Sequence, residues 1–201
     1  MIRLTDTVYT KTYTAPPINR REILRYLGAR DDAPEVSALV DECIAEVEGV
    51  LSYKVCYREV DVLHQKDALI LGTVKTNSEA LEKNLSGCER AVIFAATVGV
   101  SLDRLISRYS VTAPSKALVF DAIGTERIEA LCDAFCADIK SEAGCEMHPR
   151  FSPGYGDFSI DAQKEIFALL DCPRKIGLML NESLLMLPSK SVTAIVGKVR
   201  I

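Results

Sequence analysis

The six residues Ala91-Val92-Ile93-Phe94-Ala95-Ala96 (AVIFAA) are all apolar, and polar residues bound them on both sides. A short apolar run of this kind is typical of a buried strand. Upstream, residues 55–60 (VCYREV) and 67–73 (DALILGT) are rich in branched and aromatic side chains, which favour strands as well. The centre of the sequence therefore predicts at least three strands, with the apolar one inside the protein.

The longest helical pattern follows, from Pro114 to about Ala143. Its apolar side chains recur at three- and four-residue intervals and form one stripe along a helix. Gly124 interrupts this pattern, and glycine lowers helix stability by about 1 kcal/mol relative to alanine. We therefore expect close packing or a bend at Gly124.

The elements predicted toward the two ends of the chain allow the fold class to be inferred. The first seventeen residues are polar, end in Pro16-Pro17 and predict an extended arm. The remaining predicted elements are helices at 18–27, from Pro34 onward, at 78–85, at 101–110 and at 160–170, and strands at 176–181 and 191–199. Strands and helices alternate irregularly, which favours an α+β fold with a mixed or antiparallel sheet and packed helices. We divide it into an arm and helical preface (1–50) and a main unit (51–201).

The composition narrows the functional classes. The chain has 201 residues, 48% of them hydrophobic, and a net charge of −4, which argues against a nucleic-acid partner. No apolar run approaches the roughly 20 residues that cross a bilayer, and the beginning of the sequence has no apolar stretch typical of a signal peptide. Seven cysteines cannot form a closed set of disulfides. We therefore expect a cytoplasmic protein without a membrane segment.

The segment 146–157 (EMHPRFSPGYGD) contains two prolines and two glycines, so it fits neither a regular helix nor a regular strand. Gly154 and Gly156 allow close approach of the backbone, Arg150 can donate paired hydrogen bonds to a carboxylate, and Tyr155 can stack on a ring or sulfonium. From the residues alone, the segment is either a surface connection or a ligand-binding loop.

Several motifs in this region resemble the activation domain of cobalamin-dependent methionine synthase. They are the Arg-x-x-x-Gly-Tyr loop at 150–155, Glu182-Ser183-x-x-Met186-x-Pro188, and Ser191-Val192, in the order found in that family. The match covers about fifty residues at the C-terminal end. The long predicted helix, with its Ile128-Glu129-Ala130-Leu131 run, also resembles the helix that precedes the family's loop.

The resemblance implies binding of S-adenosylmethionine. Arg150, Gly154 and Tyr155, with the backbone of Ser152 and Pro153, would hold the methionine carboxylate and adenine. Glu129 would contact the methionine ammonium, with Glu126 and Asp133 as neighbouring alternatives. The remaining expected ligand-binding residues are Glu182 and Ser183, which could equally cap the following turn.

The function implied by the resemblance is reactivation of a separate cobalamin-binding methionine synthase subunit by reductive methylation of its cob(II)alamin. Cob(I)alamin is itself a strong nucleophile, so we expect no catalytic residue in this chain, and an electron donor such as flavodoxin or ferredoxin would act first. The same chemistry on another corrinoid methyltransferase is an alternative.

The sequence also departs from the family pattern. Gly156-Asp157-Phe158 replaces the usual Pro-x-Cys after the loop tyrosine. The sequence given ends at Ile201, short of a tyrosine-bearing segment that follows in the large enzymes. We therefore keep a second hypothesis, a non-catalytic docking module for a corrinoid protein. No metal site is expected, because Cys132, Cys136 and Cys145 offer no complete ligand set, and buried free thiols are the commoner case.

Overall fold

The apolar run 91–96 lies in the middle of an antiparallel sheet. The computed structural model describes residues 7–29 and 33–199. The strands of this sheet are β1 (Tyr9–Tyr13), β2 (Tyr53–Gln65), β3 (Ala68–Leu71), β4 (Val74–Thr76), β5 (Cys88–Thr97), β6 (Glu146–Met147) and β9 (Ser191–Val199). They are ordered β4-β3-β2-β5-β9-β6, with β1 also paired to β2, and each described pairing is antiparallel. A separate hairpin joins β7 (Met179–Leu180) to β8 (Met186–Leu187).

Helices cover both faces of the sheet. The helices are α1 (Arg20–Tyr26), α2 (Pro34–Val47), α3 (Glu79–Asn84), α4 (Ser101–Thr112), α5 (Pro114–Ala143), α6 (Ala162–Leu170) and α7 (Cys172–Ile176). Buried residues of α1, α2, α4 and α5 form one hydrophobic cluster with the sheet, and those of α3, α6 and α7 form a second cluster on the opposite face. The α+β class with an antiparallel sheet and packed helices is therefore confirmed.

Strand β5 is apolar because both of its faces are buried. Val92, Phe94 and Ala96 belong to the first cluster. Ala91, Ile93 and Ala95 alternate with them and belong to the second. Successive side chains of a strand point to opposite faces, so a central strand between two helical layers needs apolar residues at every position. The buried strand predicted at 91–96 is thus the centre of the fold.

Helix α5 has the bounds that its sequence predicts. Pro114 lies in the first turn, where no backbone donor is needed, and Gly144 ends the helix in the left-handed conformation at φ +59°. Gly124 marks close packing: a Cβ atom there would lie 2.3 Å from Leu102 Cδ2 and 2.7 Å from Lys190 Cγ. The Lys190 ammonium ion-pairs with Asp121 at 2.8 Å, so its aliphatic stem lies across the helix at this glycine.

A buried ion pair fixes the N-terminal arm to α5. Arg127 and Glu126 are 1% and 4% exposed, and they contact each other through two N–O distances of 2.5 Å. Arg127 also donates to the carbonyls of Pro16 and Pro17 at 2.5 and 2.8 Å. The Asn19 amide donates to Glu126 at 3.0 Å. The chain that precedes α1 is thus held by charges on the long helix.

Three predicted elements differ from the structure. The arm predicted at 1–17 contains β1, which pairs with β2 as part of the sheet; its first six residues lie outside the described part of the chain. The predicted strand 67–73 is β3 plus a turn that leads into β4. The predicted strand 176–181 begins in helix α7 and is reduced to the two residues of β7.

The boundary expected at residue 50 stays a prediction. Ile23, Val40 and Val47 of α1 and α2 are buried in the same cluster as Phe94 and Phe135 of the main unit. Within the described ranges, no helix combines the length and the apolarity that crossing a membrane requires.

Candidate functional site

A cleft opens between α5, the loop 149–158, α6 and the beginning of β9. Its volume is about 310 Å³, close to the lower end of the roughly 300–1,000 Å³ typical of small-molecule sites. The residues lining the cleft are Glu129, Arg150, Ser152, Pro153, Tyr155, Gln163, Met186, Ser191, Val192 and Thr193. The cleft therefore combines charged, hydroxyl, amide and aromatic groups in one small concave surface.

One end of the cleft carries both signs of charge. Nη2 of Arg150 lies 2.9 Å from Glu129 Oε2 and 2.8 Å from Asp133 Oδ1. Glu129 and Asp133 are four residues apart on α5, so they lie on the same helix face and reach one guanidinium. A guanidinium has five N–H donors, so two bonds through one nitrogen leave donors for another partner.

Burial and charge act in opposite directions on the pKa of Arg150. Burial lowers its pKa, but Cys132, Glu129 and Asp133 together raise it by more, so the net pKa lies above its ordinary value. Burial also raises the pKa of the neighbouring Cys132 thiol to about 12. At neutral pH this end of the cleft therefore holds a permanent cation beside a thiol that stays protonated.

The loop that carries Arg150 is pinned to the sheet and folded tightly. Phe151 and Ile195 exchange backbone hydrogen bonds of 2.9 and 2.8 Å, so the loop begins with an antiparallel bridge to β9. Gly154 has φ +94°, a conformation that favours glycine, and its amide donates to the Phe158 carbonyl at 2.7 Å. The tight turn presents Tyr155, whose side chain is 67% exposed, at the edge of the cleft.

Asp157 fastens the end of the loop to α3. Its carboxylate accepts hydrogen bonds from the Ser78 hydroxyl at 2.5 Å and from the amides of Glu79 and Ala80 at 2.8 and 3.2 Å. These bonds, the Ser78 bond first among them, lower the pKa of Asp157. The segment that departs from the family pattern thus contains a residue that caps a helix elsewhere in the chain.

The structure brings five of the eight expected ligand-binding residues to the cleft: Glu129, Arg150, Ser152, Pro153 and Tyr155. Gly154 lies between two of them and shapes the turn. Glu182 and Ser183 lie elsewhere, in the exposed turn between β7 and β8, which the side chain of Asn181 closes by accepting from the Leu185 amide at 2.9 Å. Of the acidic alternatives, Asp133 shares the Arg150 ion pair, whereas Glu126 is buried against Arg127.

Five residues lining the cleft were not anticipated as ligand contacts, and they include Gln163 of α6 and Thr193 of β9. Both are buried, at 5% and 2% exposure. The signal in the sequence is a polar residue at an inward position: Gln163 precedes the buried Ile166 and Phe167 by one helical turn, and Thr193 lies two residues before the buried Ile195.

The described cysteines are free thiols, and most of them are buried. Over residues 7–29 and 33–199, no group of three or more His, Cys, Asp or Glu side chains is arranged to hold a metal ion. His148 Nδ1 contacts the carbonyl of Asn84.

The structure is an α+β fold with a cleft that offers a cation, carboxylates and an exposed aromatic ring. Its fold is similar to that of a solved structure described as the MetH reactivation domain bound to AdoHcy, with a TM-score of 0.72. The similarity covers 95% of this chain and 78% of that one at 14% sequence identity. The fold expected from the sequence resemblance is thus confirmed. Comparison with family models and with curated protein sequences gave no match.

Proposed function

We propose that this chain binds S-adenosylmethionine in the cleft and reactivates a cobalamin-dependent methionine synthase. The observation that carries the proposal is the pairing of Arg150 with Glu129 and Asp133 at one end of the cleft. A free α-amino acid group is a zwitterion, and its two charges match this arrangement. The similar fold of a reactivation domain solved with AdoHcy supports the same ligand class.

The ion pair suggests how the amino-acid end would be accommodated. The α-carboxylate would accept hydrogen bonds from Arg150, and the α-ammonium would donate to the carboxylate of Glu129 or Asp133. Each protein charge then keeps an opposite partner, so no side chain becomes an unpaired charge in a half-buried site. The exposed ring of Tyr155 at the edge of the cleft offers a face to the sulfonium or to the base.

The residues of this chain bind and orient S-adenosylmethionine. S-adenosylmethionine supplies a sulfonium methyl group for transfer to the reduced cobalamin carried by the partner subunit. Arg150 and Glu129 fix the amino-acid end, and the pinned loop holds Tyr155 and the backbone of Ser152 against the ligand, which contributes through proximity and orientation. We place this reaction in the cytoplasm, with a separate electron donor such as flavodoxin or ferredoxin.

A second candidate is a docking module that caps a corrinoid protein without transferring a methyl group. Exposed apolar side chains on the β7–β8 hairpin and on the loop favour a protein partner on this side of the molecule: Met179 at 59%, Leu185 at 63%, Leu187 at 51% and Tyr155 at 67%. Neighbouring exposed apolar groups often mark contact surfaces. The same surface would serve the first candidate, so the two differ in chemistry rather than in docking.

Calorimetric titration with S-adenosylmethionine and S-adenosylhomocysteine tests ligand binding. We expect Arg150→Ala to weaken binding by about 1.5–3 kcal/mol, roughly 10- to 150-fold, because a charge-assisted hydrogen bond is lost. Glu129→Gln should also weaken binding while the fold stays intact. The matched control is Arg174→Ala, because Arg174 is 86% exposed, pairs with Asp171 and lies outside the cleft. Equal affinity of Arg150→Ala and Arg174→Ala would remove the cleft as the site.

Transfer of a labelled methyl group separates the two candidates. The protein, a methionine synthase lacking its own reactivation domain, a reductant and methyl-labelled S-adenosylmethionine are incubated together. Label on the cobalamin supports reactivation. Stable association with the corrinoid protein and no label would establish the docking module instead.

A further inference from the structure

Two residues that line the cleft each carry a buried polar atom without a hydrogen-bond partner among the described residues. These atoms are Oε1 of Gln163 and Oγ1 of Thr193. Ser191, in the same wall, provides a contrast: its hydroxyl is bonded to the Thr97 hydroxyl at 2.9 Å and to the Pro188 carbonyl at 2.8 Å. The wall of the cleft thus contains one satisfied hydroxyl and two unsatisfied polar groups.

Such atoms are uncommon, because an unpaired buried donor or acceptor costs stability that an apolar residue of the same shape would not. Gln163 and Thr193 come from different elements, α6 and β9, which converge on the same small cleft. Two such residues from separate elements in the lining of one cavity point to a ligand that offers matching groups. Both side chains are neutral, whereas Arg150 and Glu129 in the same lining are charged.

We propose that Gln163 and Thr193 form a subsite that recognises the nucleoside half of the ligand. The inference rests on the proposed binding of S-adenosylmethionine and deepens it. The charged residues match the zwitterionic end, so the neutral hydroxyls and amine of an adenosine group remain for the neutral pair. Gln163 Oε1 accepts a hydrogen bond from an N–H or O–H of the nucleoside. The Thr193 hydroxyl forms a second hydrogen bond with the nucleoside.

Calorimetry with two ligands distinguishes the role of the neutral pair from that of the charged residues. S-adenosylhomocysteine carries both halves, and 5′-methylthioadenosine carries the nucleoside without the amino acid. We expect Gln163→Met and Thr193→Val to weaken the binding of both ligands by about tenfold each. Arg150→Ala should weaken only S-adenosylhomocysteine. Gln65→Met is the matched control, because Gln65 is exposed and distant from the cleft, and it should bind both ligands as the wild type does.

The melting temperature without ligand distinguishes a binding role of Gln163 and Thr193 from a purely structural one. Gln163→Met and Thr193→Val should melt at or above the wild-type temperature, since each removes an unpaired buried polar atom, whereas Ser191→Ala should melt lower because its hydroxyl has partners. Variants that melt below the wild type, or that bind both ligands with wild-type affinity, would overturn the subsite. Wild-type protein that binds neither ligand would overturn the proposed function and this inference together, whereas wild-type binding with unaffected variants would overturn the subsite alone.

Discussion

Replacing Arg127 by Met tests how the N-terminal arm is held. The guanidinium is 1% exposed and contacts Glu126 and the carbonyls of Pro16 and Pro17 at 2.5 to 2.8 Å. Methionine fills a similar volume but leaves Glu126 as a buried carboxylate without its cation. Removing one partner of a buried pair costs about 3–5 kcal/mol, a large part of the roughly 5–15 kcal/mol that stabilises a typical protein.

The assay is urea denaturation followed by circular dichroism, with the free energy of unfolding extrapolated to water. We expect Arg127→Met to lose about 3–5 kcal/mol. The double variant Glu126→Leu/Arg127→Met removes both charges, so it should recover more than about half of that loss. Arg174→Met, at an exposed ion pair, should change the free energy by less than about 1 kcal/mol.

Two results would refute this reasoning. A loss below about 1 kcal/mol in Arg127→Met would place the pair in the range of surface ion pairs, contrary to its burial. A double variant as unstable as the single one would show that the unpaired Glu126 charge is not what destabilises the protein.

Two further substitutions test contacts of the loop with α3 and of α5 with its neighbours. The Ser78 hydrogen bond and the α3 amides lower the pKa of Asp157, so its carboxylate stabilises the fold above its unfolded-state pKa and loses this effect as pH falls through the lower folded-state value. Urea midpoints of wild type and Asp157→Asn should therefore differ at neutral pH and converge in acid; a constant difference would contradict this. Gly124→Ala should lower the melting temperature, because the new methyl group clashes with Leu102 and Lys190 at a cost of about 1–3 kcal/mol, against a gain of about 1 kcal/mol in helix propensity. A higher melting temperature would show that these side chains move aside freely.

The strongest local patterns in the sequence predicted their elements well. Helix α5 begins at Pro114 and ends at Ala143 as its apolar stripe and terminal residues indicate, and β9 spans Ser191–Val199 as predicted. Strand β1 was interpreted as an arm because its residues are polar and β-branched. Its pairing with β2, more than forty residues away, is a tertiary contact that local periodicity does not encode.

The site was predicted only in part, for a related reason. The family resemblance implies that Arg150 and Glu129 bind the same ligand, but their direct ion pair and the second pairing with Asp133 depend on how the loop crosses α5. Gln163 and Thr193 reach the cleft because α6 and β9 converge, and no motif links these two positions in the sequence. Glu182 and Ser183 belong to a conspicuous motif, yet they lie in an exposed turn, so their role in ligand binding stays a prediction.

The ion pair of Arg150 has a consequence for selectivity. Cells contain abundant phosphates and dicarboxylates, and an unpaired arginine in a cleft would attract all of them. Here a purely anionic solute would draw the guanidinium away from Glu129 and Asp133 and offer those carboxylates no cation in return. A zwitterionic solute brings a carboxylate to the guanidinium and an ammonium to the acidic residues, so each protein charge keeps an opposite partner. In the proposed site, the two acidic residues of α5 would therefore select against common cellular anions.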